Sequence, residues 1–170
     1  MLPPARVPGH YRIALVCLGN ICRSPMAHVV LESRLADAGL GDTVEVHSSG
    51  TGGWHEGHPM DQRAAATLAA AGFDPTRHRA RTFDAGWHED HDLVLAMDRA
   101  NLLDIGGADD RTRLFRSFDP EAVGDPDAEV PDPYYGGAAG FEEVLRMVER
   151  TSASIVGELR RELGQGLART

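Results

Sequence analysis

The stretch IALVCLGNICRSPMAHVVLESRL, residues 13–35, carries an apolar run into a cysteine, crosses a short Gly/Asn loop to an arginine, and restarts at once as a helix. A plain strand-to-helix turn needs neither the cysteine nor the arginine. Residues 12–17 are predicted to form a short buried strand, and a helix is predicted from about Ser24 to Ala38, stopped by Gly39. Between them the backbone N–H groups of residues 18–23 can curl around one oxyanion, with Gly19 and Asn20 tolerating the positive φ angles of a tight nest. Ser24 is placed as N-cap and Pro25 at the first helical position, where a missing N–H costs nothing. The positive end of that helix and the neighbouring Arg23 both favour the thiolate form of Cys17, and Arg23 offers a bidentate fork to the same anion.

Outward from this stretch, strands and helices alternate. TVEVHSSG, 43–50, reads as a second strand because its β-branched residues alternate with polar ones. A helix from about Pro59 to Ala71 ends at Gly72, and HDLVLAMD, 91–98, is an apolar strand followed by a short helix over 99–105. TRLFRSF, 112–118, is a fourth strand. From Phe141 through Val144, Leu145, Val148, Ile155 and Leu159 to Leu163, apolar residues recur at three- and four-residue spacing, predicting a last helix that Gly164 ends. Alternation of this kind implies right-handed crossovers: an α/β single domain of three layers, with a central four-stranded parallel sheet flanked by helices on both faces. Ligands in such folds sit at the carboxyl ends of strands, near the topological switch, and Cys17 stands at such an end.

The 170 residues suffice for one domain that buries roughly two-thirds of the surface its unfolded chain exposes, so no disulfide bracing is required. Residues 1–10, rich in proline, are expected to trail as a flexible extension, with the domain over 11–170. No apolar run reaches the ~18 residues of a membrane helix, and the start MLPPARVPGHYR lacks a signal-peptide core, so no membrane insertion and a cytoplasmic location are expected. Two cysteines only, Cys17 and Cys22, fit a reducing compartment. A net charge of -9 argues against a nucleic-acid partner, which would need a basic stripe. All 17 basic residues are arginine. That removes lysine chemistry and leaves planar, two-pronged recognition of oxyanions.

The string VCLGNICRSPMA, 16–27, resembles the phosphate-binding loop of the low-molecular-weight protein tyrosine phosphatases. The resemblance continues through SSGTGGWHEG, HRAR, LVLAMD and DPYYGGAAGFEEV, in the family's order and across nearly the whole chain after residue 11. It implies a metal-independent enzyme with no cofactor, hydrolysing phosphotyrosine and small aryl phosphates through a cysteinyl-phosphate intermediate. Its partners would be tyrosine-phosphorylated proteins, with phosphate-like anions as competitive ligands. By the resemblance Cys17 is the nucleophile, Arg23 and the loop residues Leu18, Gly19, Asn20, Ile21, Cys22 and Ser24 hold the phosphoryl oxygens, and Asp132 is the general acid. Without it, Asp119, Asp125 and Asp127 would be equal candidates for the acid. Asn20, Ser24, Ser49 and His78 match positions that brace the loop, and Trp54, Tyr134 and Tyr135 match the aromatic walls of the phosphotyrosine cleft.

Three other readings share these residues. Thioredoxin-coupled arsenate reductases have a similar loop but use further cysteines, and none follows Cys22. Protein-arginine phosphatases of this family typically carry threonine where Ile21 stands. A silent phosphate-binding module has little use for Cys17, Arg23 and Asp132 together. HEGH, 55–58, and HEDH, 88–91, read as solvated histidines rather than metal ligands. Cys22 either packs under the loop or, as the resemblance suggests, traps an oxidised Cys17 as a disulfide, the curled loop bringing the pair within the ~7 Å Cα limit.

Overall fold

A computed structural model of the chain describes residues 1–167. Strands β1 (Tyr11–Cys17), β2 (Val44–Gly50), β3 (Leu93–Ala96) and β4 (Thr112–Leu114) form one sheet in the order β2-β1-β3-β4, and every pair is parallel. From β1 the chain first goes to one side, to β2, and then crosses back to the other, to β3. The switch therefore lies at the carboxyl ends of β1 and β3, where a crevice opens.

As an inner parallel strand, β1 is covered on both faces. Tyr11, Ile13, Leu15 and Cys17 face a large core with Met26, Val30, Leu31 and Leu35 of α1 (Arg23–Asp37), Leu68 of α2 (Gln62–Ala70), and Phe141, Val144 and Val148 of α5 (Ala138–Leu167). Ala14 and Val16 face a thinner layer made with Val94, Ala96 and Ile105, against which Phe83, Leu102 and Trp87 pack. That layer holds the short helices α3 (Trp87–Asp90) and α4 (Arg99–Asp104). Helix α1 ends where Gly39 takes φ 74°, its N–H bonding the Ala36 carbonyl while Leu40 N–H reaches Leu35, so that carbonyls of the last turn are satisfied.

Element ends depart from the sequence reading for identifiable reasons. Residues 115–118 leave the sheet as a 3-10 turn, because Phe115 and Phe118 both enter the large core and a strand would send them to opposite faces. Helix α1 starts at Arg23 with Cys22 in the cap position, so the Ser24 hydroxyl is not a cap and points elsewhere. Helix α2 starts at Gln62, three residues late, because the Asp61 carboxylate caps it by accepting from Arg63 N–H. Helix α5 begins at Ala138 and continues through Gly164, since a glycine inside a packed helix costs only about 1 kcal/mol.

The first residues do not trail. Leu2 is 5% exposed within the large core, the Pro3 carbonyl accepts from the buried Tyr11 hydroxyl at 2.9 Å, and Arg6 N–H donates to Asp92 at 2.6 Å. A buried phenol needs an acceptor, and this leader supplies it. His91 is likewise buried rather than solvated. Its Nδ1–H donates to the Trp87 carbonyl at 2.7 Å, so its Nε2 accepts from His47 Nδ1–H at 2.9 Å, with the Trp87 ring stacked on it. Burial holds both histidines below their usual value.

Two outcomes follow for stability. Deleting residues 1–5 is expected to cost about 3 kcal/mol, from the lost Leu2 burial and the orphaned Tyr11 hydroxyl, read as a lower urea midpoint; an unchanged midpoint would contradict the packed leader. Because the folded state resists protonating His47 and His91, the unfolded chain binds more protons below about pH 6.5 and stability falls from there as pH drops through the depressed folded values. Replacing both histidines with glutamine should flatten the difference between urea midpoints at pH 7.5 and pH 5.5.

Candidate active site

The crevice at the switch is a cleft of about 310 Å³ lined by Cys17, Leu18, Gly19, Ile21, Cys22, Arg23, Trp54, His55, Asp132, Tyr134 and Tyr135. Its floor is the Cys17–Arg23 loop. Cys17 ends β1 with its thiol 3.0 Å from the Ser24 hydroxyl, and Asn20 N–H donates to the sulfur at 3.3 Å. The backbone N–H groups of Gly19, Ile21, Cys22 and Arg23 meet no carbonyl among the described residues. With the amino end of α1 behind them, they form a ring of donors suited to one anion.

Asn20 holds the loop in shape. It is fully buried and is the one non-glycine residue at positive φ, 57°, among the described residues. Its Nδ2 donates to Ser24 Oγ at 2.8 Å and to Ser48 Oγ at 3.1 Å, and its Oδ1 accepts from Arg81 N–H at 2.9 Å. His78 Nε2–H donates to its carbonyl at 2.7 Å, which fixes the tautomer, and burial keeps that ring below its usual pKa. Ser49, expected among the braces, offers only its carbonyl to Ser24, at 3.4 Å; its hydroxyl has no partner among the described residues. Ser48 carries the hydroxyl contact because it shares a face with Val44 and Val46, opposite Leu15, while Ser49 points to the other side of the sheet.

Arg23 is 2% exposed. Its NH1 donates to Asp98 at 2.6 Å and to the Val130 carbonyl at 3.1 Å, and its NH2 lies 3.6 Å from Asp132. Burial alone would depress its pKa, but Cys17, Asp98 and Asp132 outweigh that and raise it, so the charge is secure. With NH1 pinned, the Nε and NH2 edge remains as the two-pronged face toward the cleft.

Of the acids that sequence could not separate, Asp119 is fully buried and held by Arg116 and Arg150, Asp125 accepts from the Asp127 N–H, and Asp127 pairs with Arg99 at 2.6 Å. Asp132 alone among them lines the cleft, its Oδ1 accepting from Tyr134 N–H at 3.1 Å. Tyr134 and Tyr135 meet edge to face, and Trp54 lies over Gly52 on the other side, 70% exposed. The thiol and the aromatic rings thus line one recess. Cys22, itself part of the loop, is buried, and burial with nearby Asp61 pushes its thiol up to about 12, so it is a neutral thiol at physiological pH.

Sequence reasoning passed over Asp98, Ser48 and Gly50, and it read His55 as solvated where the structure places it in the cleft lining. Asp98 stood at the carboxyl end of β3, where functional groups concentrate, and Ser48 followed from counting alternation along β2. Gly50 carried no such signal. A Cβ there would lie 2.8 Å from the Leu18 carbonyl oxygen and 2.9 Å from Gly19 C, so only glycine lets the loop settle against β2.

The chain matches, over residues 12–165, a family described as low molecular weight phosphotyrosine protein phosphatase. It is 47% identical over 159 residues to a low molecular weight protein-tyrosine-phosphatase of Streptomyces coelicolor, covering 90% of this chain and 96% of that one. Identity is also 47% over 143 residues to low molecular weight protein-tyrosine phosphatase A of Mycobacterium tuberculosis, covering 81% and 84%. The crystal structure of YfkJ from Bacillus subtilis superposes with a TM-score of 0.81 at 30% identity, covering 93% of this chain and 99% of that one.

Gly50→Ala is expected to push the loop off β2 through a backbone clash that no rotamer relieves, weakening vanadate binding and turnover by about 10²-fold or more with β2 still formed. Wild-type vanadate affinity in a folded Gly50→Ala protein would remove this constraint.

Proposed function

The chain belongs to the low molecular weight phosphotyrosine protein phosphatase family, a hydrolase family, and from that premise we propose that it hydrolyses phosphotyrosine on proteins, and small aryl phosphates, through a cysteinyl-phosphate intermediate without a metal ion. The convergence of Cys17, Arg23 and Asp132 in one cleft carries the reading. Cys17 sulfur attacks phosphorus in line as the bond to the phenolic oxygen breaks, and Asp132 gives that oxygen its proton. The loop N–H groups and the Nε/NH2 edge of Arg23 hold the equatorial oxygens as their charge changes. Water then attacks phosphorus, its proton passing to Asp132, and the P–S bond breaks to release phosphate. A departing thiolate receives hydrogen bonds from Ser24 and from Asn20 N–H, at the distances already in place. Phosphate and vanadate compete for the same ring of donors.

Ile21 at the cleft wall supports tyrosine rather than arginine phosphate as substrate, and two free thiols suit a reducing, cytoplasmic setting. In the same reading peroxide oxidises Cys17 to the sulfenic acid, and the Cys22 thiol condenses with it, losing water to give a disulfide. Activity recoverable by a thiol reductant in wild type but not in Cys22→Ser would support this; equal recovery would leave Cys22 a packing residue.

Cys17→Ser should abolish turnover while still binding vanadate, and Arg23→Lys should fail as well, because an ammonium lacks the fork. Asp132→Asn should slow phenyl phosphate by about 10² to 10⁴-fold and nitrophenyl phosphate, a better leaving group, by less. Retained activity in Cys17→Ser, or equal slowing of the two esters in Asp132→Asn, would overturn the respective assignment. The wild-type protein is expected to keep full activity in excess chelator.

A further inference from the structure

Arg63, in the first turn of α2, does not line the cleft, yet its guanidinium joins the two halves of it. Its Nε and NH2 bind the Asp61 carboxylate at 3.2 and 3.0 Å, and its NH1 donates to the Tyr134 carbonyl at 3.0 Å. Its flat faces lie against two rings, 5.3 Å from the Tyr134 centroid and 4.8 Å from that of Phe141 on α5. Beyond Asp61, the Asp61 N–H donates to the Ile21 carbonyl of the phosphate loop at 2.9 Å. Beyond Tyr134, the Tyr134 N–H donates to Asp132 Oδ1. Hydrogen bonds and the intervening backbone thus run continuously from the loop that holds the nucleophile to the carboxylate opposite it.

We propose that Arg63 is a positioning residue for the general acid: it sets the height and tilt of the Pro131–Tyr135 segment over the phosphate loop, so that Asp132 meets the leaving oxygen. The inference rests on Asp132 being the acid. That segment needs an external tie. Pro133 is buried, but Asp132, Tyr134 and Tyr135 around it are exposed, and residues 131–137 belong to no helix or strand. Besides Arg63, the side-chain contacts of the segment among the described residues are the local Tyr134 N–H to Asp132 bond and the 3.6 Å approach of Arg23. A planar guanidinium can serve the carboxylate, the carbonyl and both rings at once, whereas a lysine ammonium has neither the fork nor the flat face. Misplacing a proton donor by a fraction of an ångström weakens protonation of the leaving group and leaves phosphate binding alone.

The test is a cycle of Arg63→Ala and Asp132→Asn, alone and combined, with kcat/KM measured on phenyl and nitrophenyl phosphate and vanadate affinity measured in parallel. Arg63→Ala is expected to lose about tenfold on phenyl phosphate and less than about threefold on nitrophenyl phosphate, with vanadate affinity unchanged. Arg63→Lys should match it. In the Asp132→Asn background, Arg63→Ala should cost no more than about twofold on either ester, because a residue acting through the acid has nothing left to act on. Equal loss on the two esters, a loss that persists in the double variant, weakened vanadate binding, or no loss at all would each overturn the proposal. If Asp132→Asn alone showed no preference between the esters, the assignment of the acid would fail and this inference with it.

Discussion

The site depends on a single asparagine held in a left-handed conformation. For a non-glycine residue that backbone costs about 1–2 kcal/mol, and it is stable here because every polar group of Asn20 is engaged: N–H with the Cys17 sulfur, carbonyl with His78, side chain with Ser24, Ser48 and Arg81 N–H. Those partners come from the end of β1, the start of α1, β2 and the 78–81 segment. A local strain is thereby offset by contacts that exist only once the sheet has assembled. With Asn20 turned, its own N–H reaches the Cys17 sulfur, and the N–H groups that follow are left without carbonyl partners among the described residues.

The same loop answers an electrostatic difficulty. The chain carries a net charge of -9, which discourages an anionic substrate at long range, and the cleft offsets it with a concentrated local field. Arg23 is buried and ionised because Cys17, Asp98 and Asp132 surround it, while Asp98 also caps α4 by accepting from Asn101 N–H. The carboxylate that fixes the arginine is therefore itself fixed by a helix end. A buried cation without these partners would be costly; with them it is a rigid fork of known direction.

Architecture anchors the two sides of the cleft differently. The phosphate loop is anchored in the large core, whereas the Asp132 segment lies on the surface between the turns that follow β4 and the start of α5. Burial thus holds the loop, while a few polar contacts hold the Asp132 segment with its exposed aromatic faces.

The strand–loop–helix reading of residues 13–35 was set by local sequence, because it rests on residue spacing along one continuous segment; the parallel α/β class followed from the alternation of strand and helix patterns along the chain, and the roles of Cys17 and Arg23 from resemblance. Trp54, Tyr134 and Tyr135 were legible through resemblance, as was Asp132 among several prolyl-flanked acids. Tertiary structure decided what depends on neighbours distant in sequence. It chose Ser48 over Ser49 by strand register, retired Asp119 into an ion pair with Arg150, set Asp98 against Arg23, and packed the first residues under Tyr11. Gly50 is the clearest case: nothing near it in sequence demands a glycine, and only the approach of the phosphate loop to β2 leaves no room for a side chain.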